Sequence, residues 1–87
     1  MSDKLKLFYF ARLREGLGVE AEEIDLPPDV RDIAGLMAWL AARGGEWQHE
    51  FAGCRLLRAA INHELAANDA PIANGDEIAF FPPVTGG

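Results

Sequence analysis

The feature that most restricts this chain is a pair of aromatic, β-forming runs standing near its two ends. Lys4–Phe10 reads KLKLFYF and Glu77–Phe81 reads EIAFF. A period of two belongs to strands, where successive side chains point to opposite faces. Leu5, Leu7 and Tyr9 therefore share one face, and Lys4, Lys6, Phe8 and Phe10 share the other. In the second run Ile78 and Phe80 oppose Ala79 and Phe81. With 87 residues in all, the chain can build one domain with one modest core. Both runs must then contribute to the same core, and each leaves aromatic rings on its far side.

The segments between them supply a partner for that core. Glu22–Leu26 (EEIDL) alternates, with Ile24 and Leu26 inward and Glu23 and Asp25 outward. Gly16-Leu17-Gly18 reads as the turn joining it to the first run in a hairpin. Pro27-Pro28 ends the strand, because neither residue can donate to a ladder. Asp32 then fits a helix N-cap, and Ile33, Leu36, Met37 and Leu40 follow at helical spacing. Gly35 costs that helix about 1 kcal/mol relative to Ala, which close packing against the sheet would explain. Gly44-Gly45 marks the C′ end. Trp47 and Phe51, four apart, predict one short helical turn over the end of the core. Leu56–Ile61 reads as a third strand with Leu57, Ala59 and Ile61 inward. Asn62-His63 turns it back toward a short segment at Leu65-Ala66, and Asn74-Gly75 is the turn that launches the last strand.

The order β-β-α-(short helix)-β-(β)-β predicts an α+β domain of the β-grasp, ubiquitin-like kind. A mixed sheet of four to five strands carries one main helix on one face. The first and last strands lie parallel at its centre, and residues 1–81 form the domain. Phe8, Phe10 and Phe81 then project together from the uncovered face, and three clustered rings on so small a body point to a docking surface. Residues 82–87, Pro82-Pro83-Val84-Thr85-Gly86-Gly87, form a tail. Two prolines favour extended geometry, and six extended residues reach about 20 Å. A tail that ends without side chains suits entry into a narrow channel.

The ending Gly75-Asp76-Glu77-Ile78-Ala79-Phe80-Phe81-Pro82-Pro83-Val84-Thr85-Gly86-Gly87 closely resembles the C-terminal signature of the molybdopterin synthase small-subunit family. These are β-grasp sulfur carriers. Phe8-Tyr9-Phe10-Ala11-Arg12-Leu13-Arg14-Glu15 resembles the family's first strand and following turn, and Ala60-Ile61-Asn62 its third strand. The sulfur carrier of thiamine synthesis shares the plan, but usually lacks the Phe-Phe-Pro-Pro stretch. The resemblance implies a chain that is no enzyme by itself and binds no cofactor. A ubiquitin-activating-type adenylyltransferase, using ATP-Mg, would adenylate Gly87. Sulfur from a desulfurase- or rhodanese-type donor would then displace AMP and leave a thiocarboxylate. The tail would enter the large synthase subunit and give its sulfur to cyclic pyranopterin monophosphate. The family also implies two small and two large subunits, with contacts at the positions of Phe10, Phe81 and Arg14. To these Phe8 is added from its place on the open face.

Charge narrows the partners. Eight Lys+Arg against fourteen Asp+Glu give −6, a balance that argues against nucleic acid and anionic lipid and favours a cationic channel. No apolar run approaches the ~20 residues of a membrane span, and Met1-Ser2-Asp3-Lys4 lacks the apolar stretch of an export signal. Cys54, the single cysteine, fits a reducing, cytoplasmic setting and a structural thiol. His49 and His63 show no metal-ligand spacing, so no metal site is expected. His63 belongs in a turn. Glu20, Glu22, Glu23 and Asp25 read as a solvated acidic edge, and Trp39 and Trp47 as lids of the core. Two other functions remain open at this level: a ubiquitin-like modifier joined to lysines through Gly87, and an interaction module with an unmodified tail.

Overall fold

The computed structural model of the protein describes residues 4–52 and 57–82. The elements run β1 (Leu5–Tyr9), α1 (Arg12–Leu17), β2 (Ala21–Ile24), α2 (Ile33–Ala41), α3 (Gly45–Ala52), β3 (Arg58–Ile61), β4 (Glu64–Ala66) and β5 (Glu77–Phe81). The five strands form one sheet in the order β2-β1-β5-β3-β4. β1 and β5 pair in parallel with Leu7 opposite Ile78 and Tyr9 opposite Phe80, and the other pairings are antiparallel. This is the β-grasp arrangement, with the first and last strands at the centre.

The alternation read from the sequence sets the two faces. Leu5, Leu7, Ile78 and Phe80 are fully buried and Tyr9 nearly so. They pack with Ile33, Leu36 and Leu40 of α2, and with Leu13, Val30, Ala59 and Ile72. Asp32 caps α2 as expected, its Oδ1 accepting from the Gly35 amide at 2.8 Å. Leu57 and Ile61 pack against the core from the inward side of β3.

Four expectations change in detail. The first connection is not a tight Gly16-Leu17-Gly18 turn: Arg12–Leu17 forms a helix, and Gly18, at φ 74, closes it by donating to the Arg14 carbonyl. Leu13 and Leu17, four apart, turn one face of this short helix to the core, which a glycine count alone does not reveal. Gly35 does not meet the sheet. A Cβ there would lie 3.2 Å from Asp32 Oδ1 and beside Val30, so the glycine makes room for the helix's own cap. α2 ends at Ala42, before Gly44-Gly45. Those glycines, at φ 80 and φ 56, bend the chain directly into α3. α3 itself spans eight residues, not one turn, and shares the covering of the sheet with α2.

α3 brings an aromatic cluster over one end of the sheet. The Tyr9 ring stands edge-on to Trp47 with centroids 5.3 Å apart, and Phe51 is edge-on to Phe80 at 5.2 Å. Glu22 departs from the solvated edge to which its sequence neighbours belong. Period two puts it on the Ile24 face, where its Oε2 accepts from the Tyr9 hydroxyl at 2.8 Å. The Arg43 guanidinium grips both its oxygens at 2.9 and 3.0 Å while lying over the Trp39 and Trp47 rings. Glu20, Glu23 and Asp25 are exposed as expected.

Candidate functional site

Where β1 and β5 run side by side, their outward residues meet on the uncovered face. Phe8 lies opposite Ala79 across the parallel pair. Ala79 is in turn opposite Ala60 on β3, and Ala60 opposite Leu65 on β4. Ala21 of β2 completes the row beside Phe8. One apolar band thus crosses all five strands, low at the two alanines and raised at Phe8 and Leu65. Phe10 and Phe81 stand one step further along β1 and β5.

The hollow over this band measures about 420 Å³ and is lined by Phe8, Phe10, Ala60, His63, Glu77, Ala79 and Phe81. The three phenylalanines predicted to share the open face are therefore neighbours in space. Phe10 is 50% exposed, and Phe8 and Phe81 are half-buried. Phe10 is also tied to the last strand through its amide, which donates to the Phe80 carbonyl at 3.1 Å. Arg14, on exposed α1, does not line the hollow. The floor is small because alanine occupies both central positions, leaving space that a side chain from outside can fill.

Sequence reasoning missed Leu65. It is 73% exposed, extends the band onto the edge strand, and lines an adjoining hollow of about 500 Å³ with Leu57, Arg58 and Asn68. The signal was available in register: a two-residue turn at Asn62-His63 forces Leu65 opposite Ala60. Both turn residues have positive φ, 50 and 73, the pattern of a type I′ hairpin whose twist matches the strands. His63 sits in that turn, as expected, with Nε2 3.4 Å from Glu77 Oε1 at the hollow's rim. Asn62 fastens the turn to β5: its Oδ1 accepts from the Glu77 amide at 3.0 Å and its amide side chain donates to Asp76 at 3.1 Å.

The electrostatic contrast lies on the covered side. Burial pushes the Tyr9 phenol well above its ordinary value, and the adjacent Glu22 carboxylate adds to the effect. For Glu22, burial raises the carboxyl, but hydrogen bonds from Arg43 and Tyr9 together with the Arg43 charge outweigh it and hold the group below the usual range. Both shifts belong to a closed network that fastens β2 to the helices. Among the described residues no three His, Cys, Asp or Glu side chains gather as metal ligands, and no helix is long and apolar enough to cross a membrane. Cys54 and residues 83–87 of the tail, Gly87 included, lie outside the described residues; Pro82, which does not, is half-buried at the end of β5.

The chain is 40% identical over 83 residues to the molybdopterin synthase sulfur carrier subunit of Escherichia coli (strain K12), an alignment covering 95% of this chain and 99% of that one. It is 42% identical over 83 residues to the subunit of the same name from Haemophilus influenzae, again covering 95% and 99%. The fold is similar to the crystal structure of SAMP1 from Haloferax volcanii, with a TM-score of 0.76, 28% identity, and coverage of 97% of this chain and 99% of that one. The model of the ThiS family matches residues 7–87, from within β1 to the final glycine. A β-grasp body, an open apolar face and a Gly-Gly ending thus meet in one chain, and it belongs to the ThiS family.

Proposed function

We propose that this chain is the sulfur-carrier subunit of a molybdopterin synthase, with Gly87 as the atom-carrying end. The observation that carries the reading is that the likeness to named sulfur-carrier subunits runs over 95% of the chain, and that the family match extends through Gly87. The chemistry follows from the residue. A C-terminal carboxylate, with a pKa of about 3.3–3.7, is an anion at neutral pH and a poor acyl donor. An adenylyltransferase using ATP-Mg supplies the leaving group: a Gly87 carboxylate oxygen attacks the α-phosphate and pyrophosphate departs. The outer sulfur of a persulfide-bearing donor attacks the carbonyl carbon and AMP leaves, giving an acyl disulfide. A second thiol cleaves its S–S bond, departing as a disulfide with the donor, and leaves a thiocarboxylate that the large synthase subunit uses on cyclic pyranopterin monophosphate. Glycine at 86 and 87 lets the backbone approach both a nucleotide and a pterin with no Cβ in the way.

In this reading the chain does no catalysis of its own, and the groups that act on the pterin belong to the large subunit. Phe8, Phe10 and Phe81 hold the partner through the open face, and Arg14 contributes a charge at its margin. The test is intact mass spectrometry after incubation with an activating enzyme, ATP-Mg and a sulfur donor. One oxygen of the terminus is exchanged for sulfur, and deleting Gly87 abolishes that exchange and pterin conversion while the fold is kept. Undiminished turnover by the Gly87-deleted form overturns the proposal. A second reading draws on the likeness to SAMP1, a small archaeal modifier protein by name. It predicts covalent ladders on target lysines in the same experiment.

A further inference from the structure

Among the described residues, three that are not glycine have positive φ: Ala11, Asn62 and His63. The last two are the central pair of the β3–β4 turn, which requires that sign. Ala11 is different. At φ 55 and ψ −129 it lies outside the left-handed helical well that asparagine and histidine tolerate. The Leu13 amide donates to the Phe10 carbonyl at 3.1 Å, so residues 10–13 form a turn with Ala11 at its first central position. Positive φ at that position alone is the type II′ pattern, and its usual occupant is glycine. Ala11 is also the N-cap of α1, its carbonyl accepting from the Arg14 amide at 3.1 Å, and it has no side chain to cap with. Serine, threonine, asparagine or aspartate is preferred there. One residue thus breaks two local rules. It is exposed, so burial of its methyl does not offset the strain.

We infer that Ala11 is a positioning residue, whose positive-φ turn aims Phe10 over the hollow of the open face. The inference rests on the reading that Phe10 holds the partner. Two backbone bonds fix Phe10: its amide donates to the Phe80 carbonyl at 3.1 Å, and its carbonyl accepts from Leu13. The first keeps Phe10 in line with β5 and its ring among the residues of the hollow. The second turns the chain back toward the core, where Leu13 is fully buried. Two residues separate Phe10 from Leu13, so the reversal falls on Ala11. With negative φ at residue 11 the chain runs on as strand or enters a helix directly, and one of the two bonds breaks. Leu13 has no exposed surface and Phe10 is half-exposed, so Phe10 is the residue that yields. Backbone outliers of this kind persist where the surroundings over-determine them, and they gather where a site needs the geometry. Ala11 meets both conditions, standing between a buried leucine and a ring of the hollow.

The test changes handedness at residue 11 and leaves size alone. The full chain is assembled from two synthetic segments joined at Cys54, with Ala11→Val made once from L-valine and once from D-valine. A D-residue adopts positive φ without strain, whereas a β-branched L-residue resists it. Calorimetry measures binding to the purified large synthase subunit, and hydrogen exchange is followed at the Phe10 and Leu13 amides. The L-valine form binds about tenfold more weakly and exchanges both amides about tenfold faster. The D-valine form matches wild type in both. In a Phe10→Ala background the L-valine form loses no further affinity, a coupling that general destabilisation does not produce. D-alanine at residue 11 slows the exchange about tenfold below wild type, so the inference stands or falls even if the L-valine form does not fold. Equal behaviour of the two valine forms overturns it, as does equal exchange with L- and D-alanine. If Phe10→Ala binds the large subunit as well as wild type, the docking reading fails instead. Exchange at the Phe10 amide then decides whether Ala11 positions that residue.

Discussion

The two faces of the sheet are made by the same strands and put to opposite uses. On the covered face Leu5, Leu7, Ile78 and Phe80 have no exposed surface, and every ring has neighbours within the chain. On the open face Phe8, Phe10 and Phe81 border a hollow floored by Ala60 and Ala79, and Leu65 lines the adjoining one. Adjacent residues of one strand, Phe80 and Phe81, therefore differ in what their burial accomplishes. The first stabilises the fold; the second borders the open hollow. The contrast teaches that hydrophobic content alone does not locate a core in a small domain. Parity along the strand does.

The pair Phe80 and Phe81 tests this most severely. Phe80→Ala is expected to cost about 3–5 kcal/mol of stability, measured by denaturant titration. Phe81→Ala should change stability little and weaken binding to the large synthase subunit by about 2 kcal/mol, roughly thirtyfold in Kd, measured by calorimetry. Comparable stability losses for both variants would erase the distinction between the faces.

A smaller effect separates neutral burial from charged burial within the covered side. Glu50 is 4% exposed, its Oε1 finds no hydrogen-bond donor among the described residues, and its Oε2 lies against Gly16, 3.1 Å from where a Cβ would sit. Glu50→Gln should raise stability by about 1 kcal/mol, because an unsatisfied buried charge is removed. A loss of that size in thermal unfolding would mean that the carboxylate stabilises the α1–α3 seam.

The smallest effect is one of pH. Glu22 is held below its ordinary value of 4.5 in the fold, so its stabilising contribution is present above that pH and falls away as acid titrates the folded group. Tyr9 is raised above 10.0. Its contribution is complete below pH 10 and declines as the pH rises beyond it, since the unfolded chain then releases the proton first. Tyr9→Phe should flatten the alkaline limb of the stability curve, and Glu22→Gln the acid limb. Neither should alter binding at the open face.

What could be read in the sequence was whatever depends on neighbours along the chain. Strict alternation assigned both faces of β1 and β5, Asp32 announced its helix, and Asn62-His63 its turn. The open-face rings followed once β1 and β5 were set side by side. The misses that bear on the two faces required contacts between distant segments. Leu13 and Leu17 make a helix because the core is there to receive them, although glycines at 16 and 18 punctuate the stretch. Glu22 sits among acidic residues and resembles them until Tyr9 and Arg43 arrive from elsewhere. Leu65 is an ordinary surface leucine until hairpin register places it beside Ala60. The likeness of the ending to one family carried the functional reading further than any spacing of chemical groups.

The central position of β5 has a consequence for how the molecule comes into being. A ribosome releases this strand after every other element, yet the sheet cannot close without it, since β1 and β3 meet only through β5. The nascent body therefore waits, with the edges of β1 and β3 unpaired, until β5 emerges. A chain terminated before β5 is left without its central strand, as unfolded material for proteolysis.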